Sequence, residues 1–468
     1  MTNANLAPTN AKALVLALTS IASFMVALDG QVVTTALSTI RLDLTASLET
    51  IEWTVNGYIL SFAVLLLTGA ALGDRFGRRR MFVVGLAVFT AASATCALAG
   101  SAAALIAARV AQGVGAALIM PLAMALLSTA YPRDERGKAL GIFGGITGVA
   151  LIAGPVVGGV VTEGVAWQWV FWINIPLGLI VIPLVLRWIA ESRGPKAALD
   201  VPGLVLATGA AFALIWGIMR GNGQGWASIE IIAALGAGAV LTLTFVAREL
   251  QARAPMVPMH FFGSATFSSN TASSFLFYGA MYGTLFILPQ FFQVAQGQGP
   301  FGAGLRLLPW TATLFVFAPL AGALVNRCGE RLLIVGGLLM QAAGMAWLGM
   351  IAAPGAPYAS FVMPLVVAGA GVSMAIPAAQ NAVLGSVAIA EIGKASGVFN
   401  TVRFLGGAFG VALMGAVFQM LGGLESPQAF ADGFAPAIGT AAALSVLAAI
   451  AGMAQAPSRR AVALKSAE

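Results

Sequence analysis

Charged residues are scarce in this sequence. Only 9% of its 468 residues are Asp, Glu, Lys or Arg, whereas about 25% is usual in a soluble domain. Hydrophobic residues make up 59%, and the mean hydropathy is +0.92. Because such a chain lacks the polar side chains that a water-facing surface needs, the composition excludes a soluble globular protein. It indicates an all-α polytopic membrane protein.

Metal-ligating and nucleophilic residues are almost as rare. The two cysteines, Cys96 in a predicted span and Cys328 in a predicted loop, predict no disulfide framework, and His260 is the one histidine. We therefore expect no metal site. The sequence has no P-loop and no HExxH motif, so we expect neither an enzyme nor an ATP-driven pump. A receptor or channel is also disfavoured, because the predicted loops are too short to hold a sensing domain.

Apolar stretches of spanning length occur fourteen times. Each is about as long as the ~20 residues that cross a hydrocarbon core. An even number places both termini on the same side of the membrane. The predicted centres lie near residues 24, 63, 90, 116, 150, 178, 210, 239, 275, 315, 342, 372, 408 and 445.

The basic residues are distributed asymmetrically between the two sets of loops. Nineteen of the 24 Lys and Arg residues fall on the side of the termini, three fall on the other side, and Arg109 and Arg403 fall inside spans. The positive-inside rule then places both termini in the cytoplasm. It also accounts for the net charge of +7 without a nucleic-acid partner.

One loop sequence is repeated within the chain. Residues 72–79 and 324–331 each start at the end of a predicted span. Each contains an arginine, a glycine two residues later and then another arginine. Because eight spans separate the two copies, they predict two six-span halves joined by an extra pair of spans, an arrangement known in transporters. The predicted boundaries are 1–192, a linker pair at 193–258, a second half at 259–456 and a tail at 457–468.

The fifth span is rich in small residues. Close packing of helices in lipid favours small residues on one face, and a proline inside a span favours a bend. Both features occur between residues 140 and 159, which contain Gly141, Gly145, Gly148, Gly154, Pro155, Gly158 and Gly159.

Two ionisable residues stand out within the first half. Asp29 is the one carboxylate that we place well inside a span, with Glu52, Glu163 and Glu230 at span edges or in loops. Apolar surroundings favour a protonated carboxyl group, whereas a nearby arginine favours the charged form. Arg109 also lies inside a span, where an unpartnered arginine costs at least about 2.5–3.5 kcal/mol. Each of the two residues alternatively has a purely structural role.

These motifs together resemble one known family. Segments 28–38, 73–80, 105–117, 145–159 and 167–178 are similar to signatures of the fourteen-span drug:proton antiporter branch of the major facilitator superfamily. The resemblance implies two six-helix bundles plus two linker helices. It also implies a proton-coupled exporter of amphipathic drugs or toxic small molecules, working by alternating access in a bacterial plasma membrane. The alternative is a dedicated exporter of a native metabolite or self-made antibiotic.

The resemblance also assigns roles to residues. Asp29 and Arg109 are implied in proton coupling, driven by the proton gradient without a cofactor, and the glycine-proline series from Gly145 to Gly159 matches the antiporter motif. The loop residues would form a conformational gate or, alternatively, only orient the helices. They are Asp74, Arg75, Gly77, Arg78 and Arg79, with Arg327, Gly329 and Arg331 in the second half.

Polar and aromatic residues in or beside spans are candidates for the substrate pocket. A single intramembrane carboxylate favours neutral or monocationic amphiphiles over dications. Besides substrate, proton and lipid, no obligate protein partner is expected. Arg403 has an alternative role in gating or structure. The candidates are Trp53, Tyr58, Gln112, Tyr278, Tyr282, Trp310, Gln380, Asn381 and Arg403.

Overall fold

The computed structural model describes residues 9–194, 199–388 and 391–455, and this part of the chain contains helices and no strand. Fourteen segments in it are long and apolar enough to cross a membrane. Each predicted span centre falls inside one of these segments, which confirms the predicted number of spans. The predicted tail at 457–468 lies outside the described residues.

The chain divides into two compact units, Met1–Leu204 and Val205–Glu468. The finer division with a separate linker pair stays a prediction. The helices of the first unit are α1 Thr9–Asp43, α2 Leu48–Phe76, α3 Arg78–Ala97, α4 Ala102–Ala130, α5 Arg133–Gly164, α6 Trp169–Trp172 and α7 Asn174–Trp188.

The helices that follow belong mainly to the second unit. They are α8 Val201–Gln224, α9 Ile229–Gln251, a 3-10 helix at Met259–Gly263, α10 Ala265–Val294, α11 Pro300–Arg306, α12 Leu308–Thr311, α13 Thr313–Cys328, α14 Glu330–Ile351, α15 Tyr358–Gly385, α16 Ile392–Leu421 and α17 Pro427–Met453. One predicted loop residue is thereby corrected, because Cys328 is the last residue of α13.

The helix junctions explain the repeated loop sequence. Gly77 has a φ of +114° between α2 and α3, and Gly329 has a φ of +77° between α13 and α14. Only glycine adopts such angles at low cost. Both copies of the repeat therefore serve the same local purpose, a sharp break between two consecutive spans.

Small residues bring the helices of the first unit into close contact. A Cβ atom at Gly69 would meet the Ala117 carbonyl, and one at Gly115 would lie 2.7 Å from the Phe89 backbone nitrogen. These contacts join α2 to α4 and α3 to α4, as expected where backbone approach drives association. They hold α4, which carries Arg109, against α2 and α3.

The second unit uses the same device between α10 and α16. A Cβ atom at Gly279 would lie 3.0 Å from the Gly406 carbonyl oxygen, and one at Gly410 would meet Gly279. Helices α8 and α9 pack on each other, with Gly217 of α8 against Leu235 of α9. Asn222 of α8 donates a hydrogen bond to the Ala416 carbonyl of α16.

Candidate functional site

Asp29 of α1 and Arg109 of α4 form an ion pair inside the first unit. The Arg109 Nη1 atom lies 2.5 Å from the Asp29 Oδ2 atom. Each residue is only 1% exposed. The prediction that a buried arginine needs a polar partner is thus met by the carboxylate that the sequence had singled out.

The second carboxylate oxygen of Asp29 has two amide donors. Gln112 Nε2 donates to Asp29 Oδ1 at 2.8 Å, and Asn174 Nδ2 donates to the same oxygen at 2.9 Å. Asn174 Nδ2 also lies 3.0 Å from the Ser93 Oγ atom, and Ser93 in turn donates to the Phe171 carbonyl. Hydrogen bonds of this kind stabilise the charged form of a carboxylate.

The guanidinium group of Arg109 also has partners besides Asp29. Its Nη1 atom donates to Gln112 Oε1 at 2.7 Å, and its Nε atom donates to the Thr54 carbonyl at 3.1 Å. The group lies 4.1 Å from the centre of the Tyr58 ring, a distance typical of a cation–π interaction. These contacts offset the cost of removing both charges from water.

The structure therefore unites residues that the sequence analysis had assigned to different roles. Gln112 and Tyr58, predicted as substrate-pocket candidates, both contact the predicted coupling residue Arg109. Asn174 and Ser93 were missed. The signal for Asn174 is a polar residue inside the Trp-rich segment 167–178, which the sequence analysis uses only as part of the family resemblance.

Glu52 is a buried acid at the edge of a span, where the sequence analysis places it. Its residue is 0% exposed. It lies near the start of α2, which begins at Leu48. A carboxylate near a helix N-terminus is also favoured by the helix dipole.

The glycine series of the fifth span packs closely only in its second half. A Cβ atom at Gly154 would meet Gln31 of α1, and one at Gly158 would lie 2.9 Å from Val32 Cα. Pro155 lies inside the unbroken helix α5. Among the described residues, nothing lies within 4 Å of a Cβ atom built at Gly141 or Gly145. The close packing predicted for the whole series is wrong for these two glycines, because α5 leaves this part of its surface uncovered within the unit.

The predicted gate residues of the first unit form an ordered corner. Arg78 Nε donates to Asp74 Oδ1 at 2.8 Å, and Arg78 Nη1 lies 3.3 Å from Thr129 Oγ1. Arg79 Nη1 donates to the Ile189 carbonyl at 3.1 Å. Arg75 is exposed. This corner joins the α2–α3 junction to the ends of α4 and α7.

Glu191 is a member of this corner that sequence reasoning missed. Its Oε1 atom accepts from the Arg79 amide at 2.9 Å, and its Oε2 atom accepts from the Arg80 amide at 3.2 Å. A Cβ atom at Gly77 would lie 2.7 Å from the Glu191 carboxyl carbon. Glu191 thus satisfies the free amides at the start of α3, where a negative charge is favoured. In the second unit Arg331 is exposed, and the Arg327 side chain lies outside the described residues.

Three pocket candidates of the second unit lie together. The guanidinium of Arg403 is 4.8 Å from the Tyr278 ring centre, and the rings of Tyr278 and Tyr282 are 6.4 Å apart. The other candidates are separate from this cluster. Trp310 is buried against Gly369, Gln380 and Trp53 are half-buried, and Asn381 is exposed.

Comparison with known proteins gives a consistent family. The model of the Major Facilitator Superfamily matches residues 19–269 and 271–467. The tetracenomycin C resistance and export protein of Streptomyces glaucescens is 34% identical over 427 residues, covering 90% of this chain and 79% of the relative. The multidrug resistance protein Stp of Mycobacterium tuberculosis is 33% identical, covering 86% and 75%. The methylenomycin A resistance protein of Bacillus subtilis is 32% identical, covering 87% of each.

Solved structures support the fold. A POT family transporter in complex with 5-aminolevulinic acid has a TM-score of 0.71 at 13% identity, covering 93% of this chain and 94% of the other. The nucleoside transporter NupG, as its D323A mutant, has a TM-score of 0.63 at 14% identity, covering 94% and 99%. At this identity the likeness concerns the arrangement of the helices alone.

Proposed function

Because the chain belongs to the Major Facilitator Superfamily, and is therefore a multi-pass membrane transporter and not an enzyme, we propose that it exports amphipathic drugs or toxic small molecules in exchange for protons. The relatives named for multidrug resistance and for antibiotic export support this assignment. Transport proceeds by alternating access. The observation that carries the proposal is the buried ion pair between Asp29 and Arg109.

Asp29 is the proton carrier in this proposal. Its carboxylate receives three donors, from Arg109, Gln112 and Asn174. A proton on Asp29 removes the charge that these donors stabilise, so the arrangement favoured by the charged site is no longer favoured by the neutral one. A transporter can use that difference to couple proton entry to a change of conformation.

Gln112 keeps the site intact when the ion pair is broken. Its Oε1 atom accepts from Arg109 while its Nε2 atom donates to Asp29. After protonation of Asp29, Arg109 still has the Gln112 oxygen, the Thr54 carbonyl and the face of the Tyr58 ring. These contacts lower the cost of leaving the arginine without its counter-ion.

The decisive experiment compares the wild type with Asp29→Asn in everted membrane vesicles. We expect the wild type to concentrate a fluorescent dye only when a proton gradient is imposed. Asp29→Asn should lose this uphill transport but retain dye binding and downhill exchange of dye for dye, because the variant cannot carry the proton. Retained gradient-driven accumulation in Asp29→Asn would contradict the proposal.

Asp43→Asn is the matched control for this experiment. Asp43 is the last residue of the same helix α1 and accepts a hydrogen bond from Trp167 Nε1 at 2.7 Å. The substitution removes one carboxylate of α1 without touching Arg109. Asp43→Asn should therefore keep gradient-driven transport; equal loss in both variants would indicate a general disturbance of α1.

A second candidate function keeps the mechanism and changes the cargo. Two relatives are named for single antibiotics, tetracenomycin C and methylenomycin A, so this chain is alternatively a dedicated exporter of one such compound or of a native metabolite. A transport screen with dyes, antiseptics and cell extracts distinguishes the two. Many unrelated substrates favour the multidrug assignment, and one compound class favours the dedicated exporter.

The charge distribution supports the orientation of the chain in this proposal. We place the protein in the bacterial plasma membrane with both termini in the cytoplasm, because the basic residues favour that side. The partners in this proposal are the cargo, the proton and the lipid bilayer, with no nucleic acid and no obligate protein partner.

A further inference from the structure

Arg403 lies near the middle of α16 in an aromatic cluster of the second unit. Its guanidinium is 4.8 Å from the Tyr278 ring centre and 4.7 Å from that of Phe404. The rings of Tyr278 and Tyr282 lie 6.4 Å apart, centre to centre. A Cβ atom at Gly407 would lie 2.8 Å from the Tyr282 ring, so a small residue makes room for this ring one turn from Arg403.

The charge of Arg403 differs from that of Arg109 in one respect. Arg109 is neutralised by Asp29, whereas no carboxylate of the described residues lies within ion-pair distance of Arg403. Its Nε atom is buried and has no hydrogen-bond partner among these residues. The residue as a whole is half-buried, and even a partly buried cation without a counter-ion is unfavourable. The second unit therefore offers a positive charge that an anionic molecule can match.

An apolar groove adjoins this cluster. Its volume is about 480 Å³, and it is lined by Phe262, Ser268, Thr271, Ala272, Phe275, Leu276 and Val402. Thr271, Phe275, Tyr278 and Tyr282 follow one another at intervals of four, three and four residues along α10. Residues at these spacings share one face of a helix, so the wall of the groove continues into the tyrosine pair. On α16, the groove is lined by Val402.

We infer that Arg403, Tyr278 and Tyr282 bind the acidic group of an anionic amphiphile, whose apolar part occupies the adjoining groove. A carboxylate, sulfonate or phenolate would accept hydrogen bonds from the guanidinium and the hydroxyl groups, and such charge-assisted bonds are stronger than neutral ones. The inferred cargo thus differs in charge from the neutral or monocationic amphiphiles that the sequence alone favours.

This inference rests on the proposed export function only in treating the bound molecule as cargo. Binding is therefore measured without transport, on the purified full chain in lipid nanodiscs, with empty nanodiscs subtracted. The two probes are anilinonaphthalene sulfonate and phenylnaphthylamine, which share their aromatic rings and differ by the sulfonate group. A failure of charge-selective binding would leave the gradient-driven dye experiment unaffected.

The expected result is a selective loss of anion binding. Arg403→Gln should weaken binding of the sulfonate about tenfold or more, equivalent to at least about 1.4 kcal/mol, and change binding of the neutral dye less than about twofold. Arg403→Lys should retain most of the anion affinity because it keeps the charge. Tyr282→Phe, which keeps the ring and removes the hydroxyl, should weaken only the sulfonate.

Arg306→Gln provides the matched control. Arg306 also stacks on aromatic rings of the second unit, 5.8 Å from Phe292 and 5.1 Å from Tyr358, but at the end of α11. Its substitution should change neither affinity. Equal weakening of both dyes by Arg403→Gln would show a structural role, and unchanged sulfonate binding would show no role; either result overturns the inference. So would tighter binding of a naphthyl trimethylammonium than of the sulfonate by the wild type.

Discussion

Asp29 and Arg109 are 80 residues apart in the sequence, and their side chains meet at 2.5 Å in the interior of the first unit. Both are almost fully buried. Each of the two buried charges is stabilised by the other, because either charge alone would be buried without a counter-ion.

The first prediction concerns the stability of this pair. Asp29→Asn and Arg109→Gln should each lower the free energy of unfolding, by up to about 3–5 kcal/mol, because each leaves one buried charge unpaired. The double variant should recover much of this loss, since it removes both charges. The check is the melting temperature of the three purified variants in detergent.

The double variant also separates stability from function. It should be the most stable of the three and still lack gradient-driven transport, because no carboxyl group remains to carry the proton. Additive destabilisation in the double variant would contradict the mutual dependence of the two charges.

The second prediction distinguishes two glycines of the same helix. Gly158→Ala should lower the melting temperature, because the added Cβ atom meets the backbone of Val32, and overpacking typically costs about 1–3 kcal/mol. Gly145→Ala should be neutral or stabilise the protein by up to about 1 kcal/mol, the difference in helix propensity, since no described atom lies within 4 Å of its Cβ position. Equal effects of the two substitutions would contradict the packing of α5 on α1.

Some features of the fold could be predicted from the sequence, and the packing of these two glycines could not. The number of spans was predictable because length and apolar content are local properties, and all fourteen centres were confirmed. That Arg109 would need a partner was also predictable, since an arginine in a span requires one. Gly145 and Gly158, however, have the same kind of sequence surroundings. Only the neighbouring helix decides which of them is covered.

The missed polar residues have a similar explanation. Asn174 reaches Asp29 across 145 positions of the sequence, and Glu191 reaches the Arg79 amide across 112. Glu191 lies just beyond the end of a span, where polar residues are common because they face water and headgroups. Asn174 is a polar residue inside a span, but the sequence spacing of neither residue indicates which distant residue it contacts.

The third prediction concerns the helix start that Glu191 completes. Glu191→Ala should lower stability by about 1–2 kcal/mol, as loss of an N-terminal cap does, and should speed hydrogen exchange of the Arg79 and Arg80 amides. Glu191→Gln should have a smaller effect, because its amide oxygen still accepts a hydrogen bond. Hydrogen-exchange mass spectrometry of the segment around residues 77–82 measures this.

Glu135→Ala is the control for the third prediction. Its ion pair with Lys12, at 3.1 Å, leaves the Glu135 side chain 49% exposed, and exposed pairs contribute about 0–1 kcal/mol. Exchange of the Arg79 amide should be unchanged in this variant. Unchanged exchange in Glu191→Ala as well would show that the carboxylate does not cap α3.

The last prediction tests the orientation of the chain with its two cysteines. Cys328 is exposed and Cys96 is buried, so a membrane-impermeant maleimide should label only Cys328, and Cys328→Ser should abolish the signal. Because Cys328 follows a basic residue at a junction that we place in the cytoplasm, everted vesicles should be labelled and right-side-out vesicles should not. Labelling from the outer face would reverse every loop assignment together, since the spans alternate, and would leave their number unchanged.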